Sequence, residues 1–101
     1  MVRDAHTCRW CSSGLRPEVH HRQGRGGKTP HRLSNLIVLC SEHHRYVTEH
    51  PEWAYAMGLS VRRIGLDEPD EVPYYDSARV LWALNDDGDR WRLSLPRKDA
   101  S

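Results

Sequence analysis

The chain has 101 residues and a formal net charge of +1, which limits it to one small domain with one modest core. Phenylalanine is absent and only 38% of the residues are hydrophobic, so we expect the core to need a staple. No apolar run is long enough for a secretory signal or a membrane span, which predicts a soluble, cytoplasmic protein.

The two halves of the chain differ in charge. Residues 1–50 contain eight Lys and Arg against four acids, and residues 51–101 contain seven against ten. A basic half beside an acidic half is compatible with a polyanion meeting one face, but surface charge more often serves only solvation. Charge alone therefore favours the solvated surface over nucleic-acid binding.

Residues 1–7 are expected to form a loose arm, after which Cys8-x2-Cys11 predicts a zinc knuckle. Two thiolates at this spacing can occupy adjacent corners of a tetrahedron, and Gly14 is expected to supply unusual backbone dihedrals where the chain leaves. Three cysteines fit a disulfide framework poorly and indicate zinc in a reducing compartment. A redox pair is the alternative, but no βαβ pattern surrounds it.

Two β-prone stretches predict an antiparallel hairpin. Residues 15–22 are expected to form the first strand, with His20 and His21 near its end, and the apolar run 36–39 pairs back with residues 16–21. The Gly-rich, basic loop 22–32 lacks the spacing of a phosphate-binding P-loop. We interpret it either as a flexible turn or, slightly favoured, as a contact with DNA phosphates.

The rest of the chain predicts short elements. Ser41 is the expected N-cap of a helix over 42–49, and a second helix over 52–57 follows Pro51 and stops at Gly58. Residues 59–64 are predicted as a strand, and residues 78–84 and 90–95 as a hairpin. The sequence therefore predicts an α+β domain, with a zinc-stapled core over residues 1–64 and an acidic loop and hairpin extension of the same domain over residues 65–101.

A second pair of metal-binding side chains, Cys40-x2-His43, follows the apolar strand. With Cys8 and Cys11 it predicts a tetrahedral Cys3His zinc site whose binding free energy would stabilise the fold. The alternative is that Cys40 is a buried apolar residue and His43 a surface one.

These motifs together resemble the HNH endonuclease family, the zinc-ribbon type of ββα-metal (His-Me finger) nucleases. The resemblance covers residues 8–50 and departs at His43, where the family usually has a cysteine. It rests on Cys8-x2-Cys11, Val19-His20-His21-Arg22, Asn35 with the apolar strand after it, and Cys40-x2-His43-His44.

The resemblance implies a role for each matching residue. His20 and His44 would bind a catalytic divalent cation such as Mg²⁺, Mn²⁺, Ni²⁺ or Zn²⁺, His21 would be the general base, and Asn35 would orient the hairpin loop and the base. Thr48 stands where some members have a further histidine, so His50 is weighed as a third ligand or a phosphate contact. The expected nucleic-acid contacts are Arg22, Arg25, Lys28, Arg32 and Arg45.

The resemblance also implies the reaction and the partners. We expect metal-dependent hydrolysis of double-stranded DNA with low sequence specificity, in a phage- or bacterium-encoded protein for which a phage packaging terminase is a candidate partner. The rival hypothesis is a catalytically silent zinc module that binds DNA or protein. Only the nuclease requires His20, His21, Asn35 and His44 to converge.

Overall fold

The computed structural model describes residues 4–24, 32–62 and 68–93. Along the chain these residues form an antiparallel hairpin, two consecutive helices and a small three-stranded sheet. The α+β class predicted from the sequence is confirmed at this level. Within the described ranges, no helix is both long and apolar enough to span a membrane.

The hairpin pairs β1 (Pro17–His21) with β2 (Leu36–Cys40), in the register that places His20 opposite Ile37 and His21 opposite Leu36. Strand β2 is buried along nearly its whole length, whereas β1 buries only His20. Because successive side chains of a strand point to opposite faces, His20 and His21 project from opposite sides of β1. The predicted hairpin and its pairing are confirmed.

Two helices follow the hairpin directly. Helix α1 (Ser41–Glu49) begins where β2 ends, and α2 (Pro51–Ala56) begins after His50. Cys40 occupies the N-cap position of α1 and makes no capping bond there, so the prediction that Ser41 caps this helix is wrong. Pro51 opens α2 as predicted, since the first turn of a helix needs no N–H from that residue.

Gly58 ends the helical segment in a left-handed conformation with φ of 73°. A Cβ at this position would stand 2.0 Å from the carbonyl oxygen of Pro73, so only glycine permits this approach. Residues 59–62 then form bends and irregular backbone instead of the predicted strand, and residues 63 and 64 lie outside the described part.

The C-terminal sheet has the order β3 (Tyr74–Tyr75), β4 (Leu81–Leu84), β5 (Arg90–Arg92). The predicted hairpin corresponds to β4 and β5, but β4 starts only at Leu81 because Arg79 adopts a left-handed conformation with φ of 65°. Strand β3 was not predicted, since two residues are too few to show an alternating pattern.

One core joins both halves of the chain. Tyr74 and Leu84 of the C-terminal sheet pack in the same cluster as the hairpin and the helices, so residues 68–93 complete the core. Asp4 is also fully buried, and its Oδ2 accepts a hydrogen bond from the Val38 N–H at 2.9 Å, so residues 4–7 are not the loose arm that was predicted. The buried cluster consists of Cys8, Ile37, Leu39, Cys40, Val47, Ala54, Leu59, Tyr74 and Leu84.

Candidate functional site

Four metal-binding side chains converge where the N-terminal knuckle meets the junction of β2 and α1. They are Cys8, Cys11, Cys40 and His43, and their ligand atoms all lie within 4.8 Å of one another. The Cys11 Sγ lies 3.9 Å from the Cys40 Sγ, which lies 3.2 Å from the His43 Nδ1. Zinc–sulfur bonds of about 2.3 Å in a tetrahedron separate two sulfurs by about 3.8 Å, so this donor set fits zinc. The predicted Cys3His cluster is confirmed as positioned to bind a metal ion.

Backbone N–H groups of the knuckle donate hydrogen bonds to Cys8. The Cys11 N–H donates to the Cys8 Sγ at 3.5 Å, and the Ser12 N–H donates to the Cys8 carbonyl oxygen at 2.8 Å. Ser12 carries the left-handed conformation of this turn, with φ of 67°. The prediction that Gly14 supplies the unusual dihedrals is therefore wrong, since the turn is already completed at Ser12.

The thiols of this cluster differ in acidity. Burial opposes ionisation of Cys8, but hydrogen bonds from the backbone of Cys11, Cys40 and Trp10 lower the pKa of its thiol below the ordinary value. Burial and the neighbouring thiols of Cys8 and Cys40 raise the pKa of Cys11 to about 11. Thiolates this close repel one another, so joint ionisation at neutral pH requires a cation among them.

A second cluster lies where β1 meets α1. The ring centroids of His20 and His44 are 5.0 Å apart, with the rings edge to face. His20 is buried and donates through Nε2 to the carbonyl oxygen of Leu59 at 2.8 Å. His44, in α1, has its Nδ1 2.6 Å from Oε1 of Glu18. The structure thus brings together the two residues expected to bind the catalytic cation.

His20 is held in its neutral form. Burial is the main cause that lowers the pKa of His20 to about 4, and electrostatic repulsion from the neighbouring His44 and Arg22 adds to it. The imidazole is therefore uncharged at pH 7, which is the form that binds a cation. Among the described residues, the Cys3His cluster is the one group in which three or more His, Cys, Asp or Glu side chains come close enough to hold a metal ion. His20 and His44 form a pair.

Asn35 ties the two ends of the hairpin loop together. Its Oδ1 accepts from the Gln23 N–H at 2.7 Å, and its Nδ2 donates to the Gln23 carbonyl oxygen at 3.1 Å. The side chain is 1% exposed, and the backbone carbonyl of Asn35 accepts from the Arg22 N–H at 2.8 Å. These contacts match the loop-orienting part of the role expected of Asn35.

The other two histidines of the prediction lie elsewhere. His21 is half-exposed at the end of β1, on the opposite face from His20. His50 stacks on Tyr46 at 3.9 Å and donates through Nδ1 to the Tyr46 carbonyl oxygen at 3.0 Å. Helix α1 continues to Glu49 and does not end early enough to turn His50 toward His44, so the prediction of His50 as a third ligand is wrong.

Two of the predicted DNA contacts are engaged within the fold. Arg22 is 2% exposed, and its guanidinium donates to the backbone carbonyl oxygens of Ser34, Gly58, Pro69 and Val72. Arg32 forms ion pairs with Glu68 at 2.6 Å, Asp70 at 3.2 Å and Asp86 at 2.8 Å. The predicted phosphate contact of Arg22 is therefore wrong, because its guanidinium is buried and engaged. The side chain of Arg32 is 20% exposed, and its phosphate contact stays a prediction.

Of the three remaining basic candidates, the structure describes Arg45. Arg45 is exposed and borders a groove of about 550 Å³ beside His44, so its predicted phosphate contact stays open. Arg25 and Lys28 lie outside the described residues. Sequence reasoning missed Arg16 and Glu18, which line the same groove. A signal for Glu18 was present, because it precedes His20 by two residues and so shares a face of β1 with it.

Comparison of this chain with protein-family models, with curated proteins and with solved structures finds no match in any of the three. Function is therefore inferred from the geometry of the two clusters and from the resemblance of the motifs.

Proposed function

We propose that the protein is a metal-dependent DNA endonuclease of the HNH type, which hydrolyses phosphodiester bonds with low sequence specificity. The observation that carries this proposal is the pairing of His20 from β1 with His44 from α1, at a ring separation of 5.0 Å. The adjacent residue His43 belongs to the Cys3His cluster. Two neighbouring positions of one helix thus serve two clusters, as a nuclease with one structural and one catalytic metal requires.

The residues divide the chemistry among them. His20 and His44 would hold a divalent cation such as Mg²⁺, Mn²⁺, Ni²⁺ or Zn²⁺, which when bound stabilises the negative charge that develops on the phosphoryl and leaving oxygens. His21 would accept the proton of the attacking water, a task suited to imidazole, whose pKa in model peptides is about 6.5. His20 and His21 project from opposite faces of β1. For both rings to act on one phosphate, the scissile phosphate would lie at the end of this strand.

The substrate we propose is double-stranded DNA contacted mainly through its backbone. Arg45 borders the groove beside His44, where it can neutralise a phosphate next to the one being cleaved. Backbone contacts carry little sequence information, which accounts for the expected low specificity. Processing of phage DNA, with a packaging terminase as partner, is the biological setting that the resemblance of the motifs favours.

A zinc module without catalytic activity, binding DNA or protein, is the second candidate. Three observations favour it. The histidine cluster is a pair and not a triad among the described residues, and His21 projects from the face of β1 opposite to His20. Arg22 and Arg32 are engaged within the fold. Both candidates require the Cys3His site, so zinc content alone does not distinguish them.

Cleavage of supercoiled plasmid distinguishes the two candidates. The purified protein is assayed with Mg²⁺, Mn²⁺, Ni²⁺ or Zn²⁺ beside His21→Ala, and bound zinc is quantified in each sample. His50→Ala is the matched control, since it removes another exposed histidine that stacks on Tyr46.

If the protein is a nuclease, we expect metal-dependent nicking that is lost in His21→Ala and retained in His50→Ala. The amount of bound zinc should be unchanged in both variants. A zinc-replete wild type that cuts with none of the four cations would support the silent module. Cleavage that survives His21→Ala would assign the base to another residue.

A further inference from the structure

We infer that Glu18 is a positioning residue that fixes the ring orientation and tautomer of His44, so that the Nε2 of His44 faces the cation. The inference rests on the proposed cation site. Glu18 and His20 share one face of β1, and the Glu18 Oε1 lies 2.6 Å from the His44 Nδ1. The structure thereby joins a carboxylate of the strand to a histidine of the helix.

The bond to Glu18 determines which nitrogen of His44 is left for a ligand. A carboxylate accepts and does not donate, so the His44 Nδ1 carries a proton, and in the neutral ring Nε2 then keeps its lone pair. A carboxylate behind an imidazole also makes the ring a stronger ligand and holds its plane. Glu18 therefore acts on the cation through His44.

A hydrogen bond to an oxygen also fixes the ring of His20. Its Nε2 donates to the carbonyl oxygen of Leu59 at 2.8 Å, so Nδ1 keeps the lone pair. The two rings, 5.0 Å apart, are each anchored by an oxygen at one nitrogen. The nitrogens assigned to the cation are Nδ1 of His20 and Nε2 of His44.

The exposure of the pair argues against a role in stability alone. The side chains of His44 and Glu18 are 32% and 47% exposed, and polar contacts at such exposure contribute little to folding. The pair borders the groove of about 550 Å³ that Arg45 also lines. A contact that adds little to the fold but lies beside the proposed site is expected to act on the ligand.

The test uses zinc-loaded full-length protein with Glu18→Ala and Glu18→Gln. Glu42→Ala is the matched control, because Glu42 is an exposed carboxylate that lines the same groove. The first readout is ¹⁵N NMR of the histidine rings without a second cation, which reports the tautomer of His44. The second is Mn²⁺ affinity from electron paramagnetic resonance, and plasmid cleavage is measured alongside.

We expect His44 to be protonated at Nδ1 in the wild type and to become a mixture of tautomers in Glu18→Ala. Mn²⁺ affinity should fall about 10- to 100-fold in Glu18→Ala. Glu18→Gln should lose less, because its amide oxygen still accepts from Nδ1–H, and Glu42→Ala should match the wild type.

Three results would overturn the inference: an unchanged tautomer in Glu18→Ala, an equal loss of affinity in Glu42→Ala, or a wild type that binds no Mn²⁺. If the tautomer and affinity change as expected but no DNA is cut, the endonuclease proposal fails and the role of Glu18 stands. If DNA is cut and the His44 tautomer is the same in the wild type and in Glu18→Ala, the positioning role fails and the endonuclease proposal stands.

Discussion

The guanidinium of Arg22 donates through Nε to the carbonyl oxygen of Gly58 at 3.0 Å, which joins the end of the first hairpin strand to the turn after the second helix. Its Nη1 donates to the carbonyl oxygens of Ser34 and Pro69 at 2.8 Å and 3.0 Å. One buried guanidinium thus connects the hairpin loop, the helical turn and the C-terminal segment.

Replacing Arg22 should therefore destabilise the fold. Lysine cannot reproduce the planar fork, so Arg22→Lys leaves buried carbonyl groups unsatisfied and should cost about 3 kcal/mol in the free energy of unfolding. Arg45→Ala removes an exposed arginine and should change stability by less than about 0.5 kcal/mol. Urea denaturation of both variants measures this. Equal stability of the wild type and Arg22→Lys would contradict the structural role of Arg22 and reopen its predicted contact with DNA.

The adjacent residues His43 and His44 should separate the two metals. His43 lies in the Cys3His cluster and His44 lies beside His20. We expect His43→Ala to lose most of its zinc and to unfold at a markedly lower temperature, because structural zinc contributes roughly 10 kcal/mol or more to folding. His44→Ala should keep its zinc. Metal analysis by mass spectrometry and thermal unfolding decide this, and loss of zinc in both variants would refute the division.

The knuckle offers a matched pair of glycine substitutions. Ser12 adopts a left-handed backbone, so Ser12→Gly should relieve a strain of about 1 kcal/mol. Gly14 has no neighbouring atom within 4 Å of an added Cβ, and its φ is not in the left-handed region, so Gly14→Ala should be neutral or slightly stabilising. Thermal unfolding of the zinc-loaded variants tests both, and destabilisation by Ser12→Gly would contradict the assignment of the turn.

The features predicted correctly from the sequence are those encoded locally. The hairpin follows from β-prone alternation, α2 from Pro51 and Gly58, and the Cys3His cluster from the spacing of two short pairs. The features that were missed depend on partners far along the chain. Arg22 contacts carbonyl groups 12 to 50 residues away, and Arg32 contacts acids 36 and 54 residues away. A basic residue in a Gly-rich loop has the same local pattern whether it faces DNA or its own fold.

The same limit explains two smaller corrections. Asp4 sits in a segment without periodic pattern, and only the position of Val38 shows that its carboxylate accepts a backbone hydrogen bond of the hairpin. His50 was weighed as a ligand because its orientation depends on where α1 ends, and a pattern defines helix ends poorly.

Acid should destabilise the protein through His20. Its pKa is lowered from 6.5 to about 4, so between these values the unfolded chain binds a proton that the folded chain does not. Stability from the neutral ring is therefore complete above pH 6.5 and is lost as the pH falls to 4, an effect of about 3 kcal/mol.

The difference between wild type and His20→Gln isolates this effect, since zinc release at low pH affects both proteins. Glutamine retains an N–H donor for the Leu59 carbonyl but does not titrate. In denaturant unfolding at several pH values, the stability advantage of the wild type should shrink as the pH falls from 6.5 to 4. A difference that does not depend on pH would show that His20 titrates normally.

The most direct test of the two-metal account is a count of metal ions on one protein. Zinc-loaded wild type, His20→Ala and His44→Ala are titrated with Mn²⁺ under electron paramagnetic resonance, and zinc is quantified in each at the end. We predict one retained zinc per chain in all three proteins and one exchangeable Mn²⁺ in the wild type, with Mn²⁺ affinity sharply reduced in both variants. A wild type that binds zinc and no Mn²⁺, or variants that bind Mn²⁺ as tightly as the wild type, would contradict a cation site between His20 and His44.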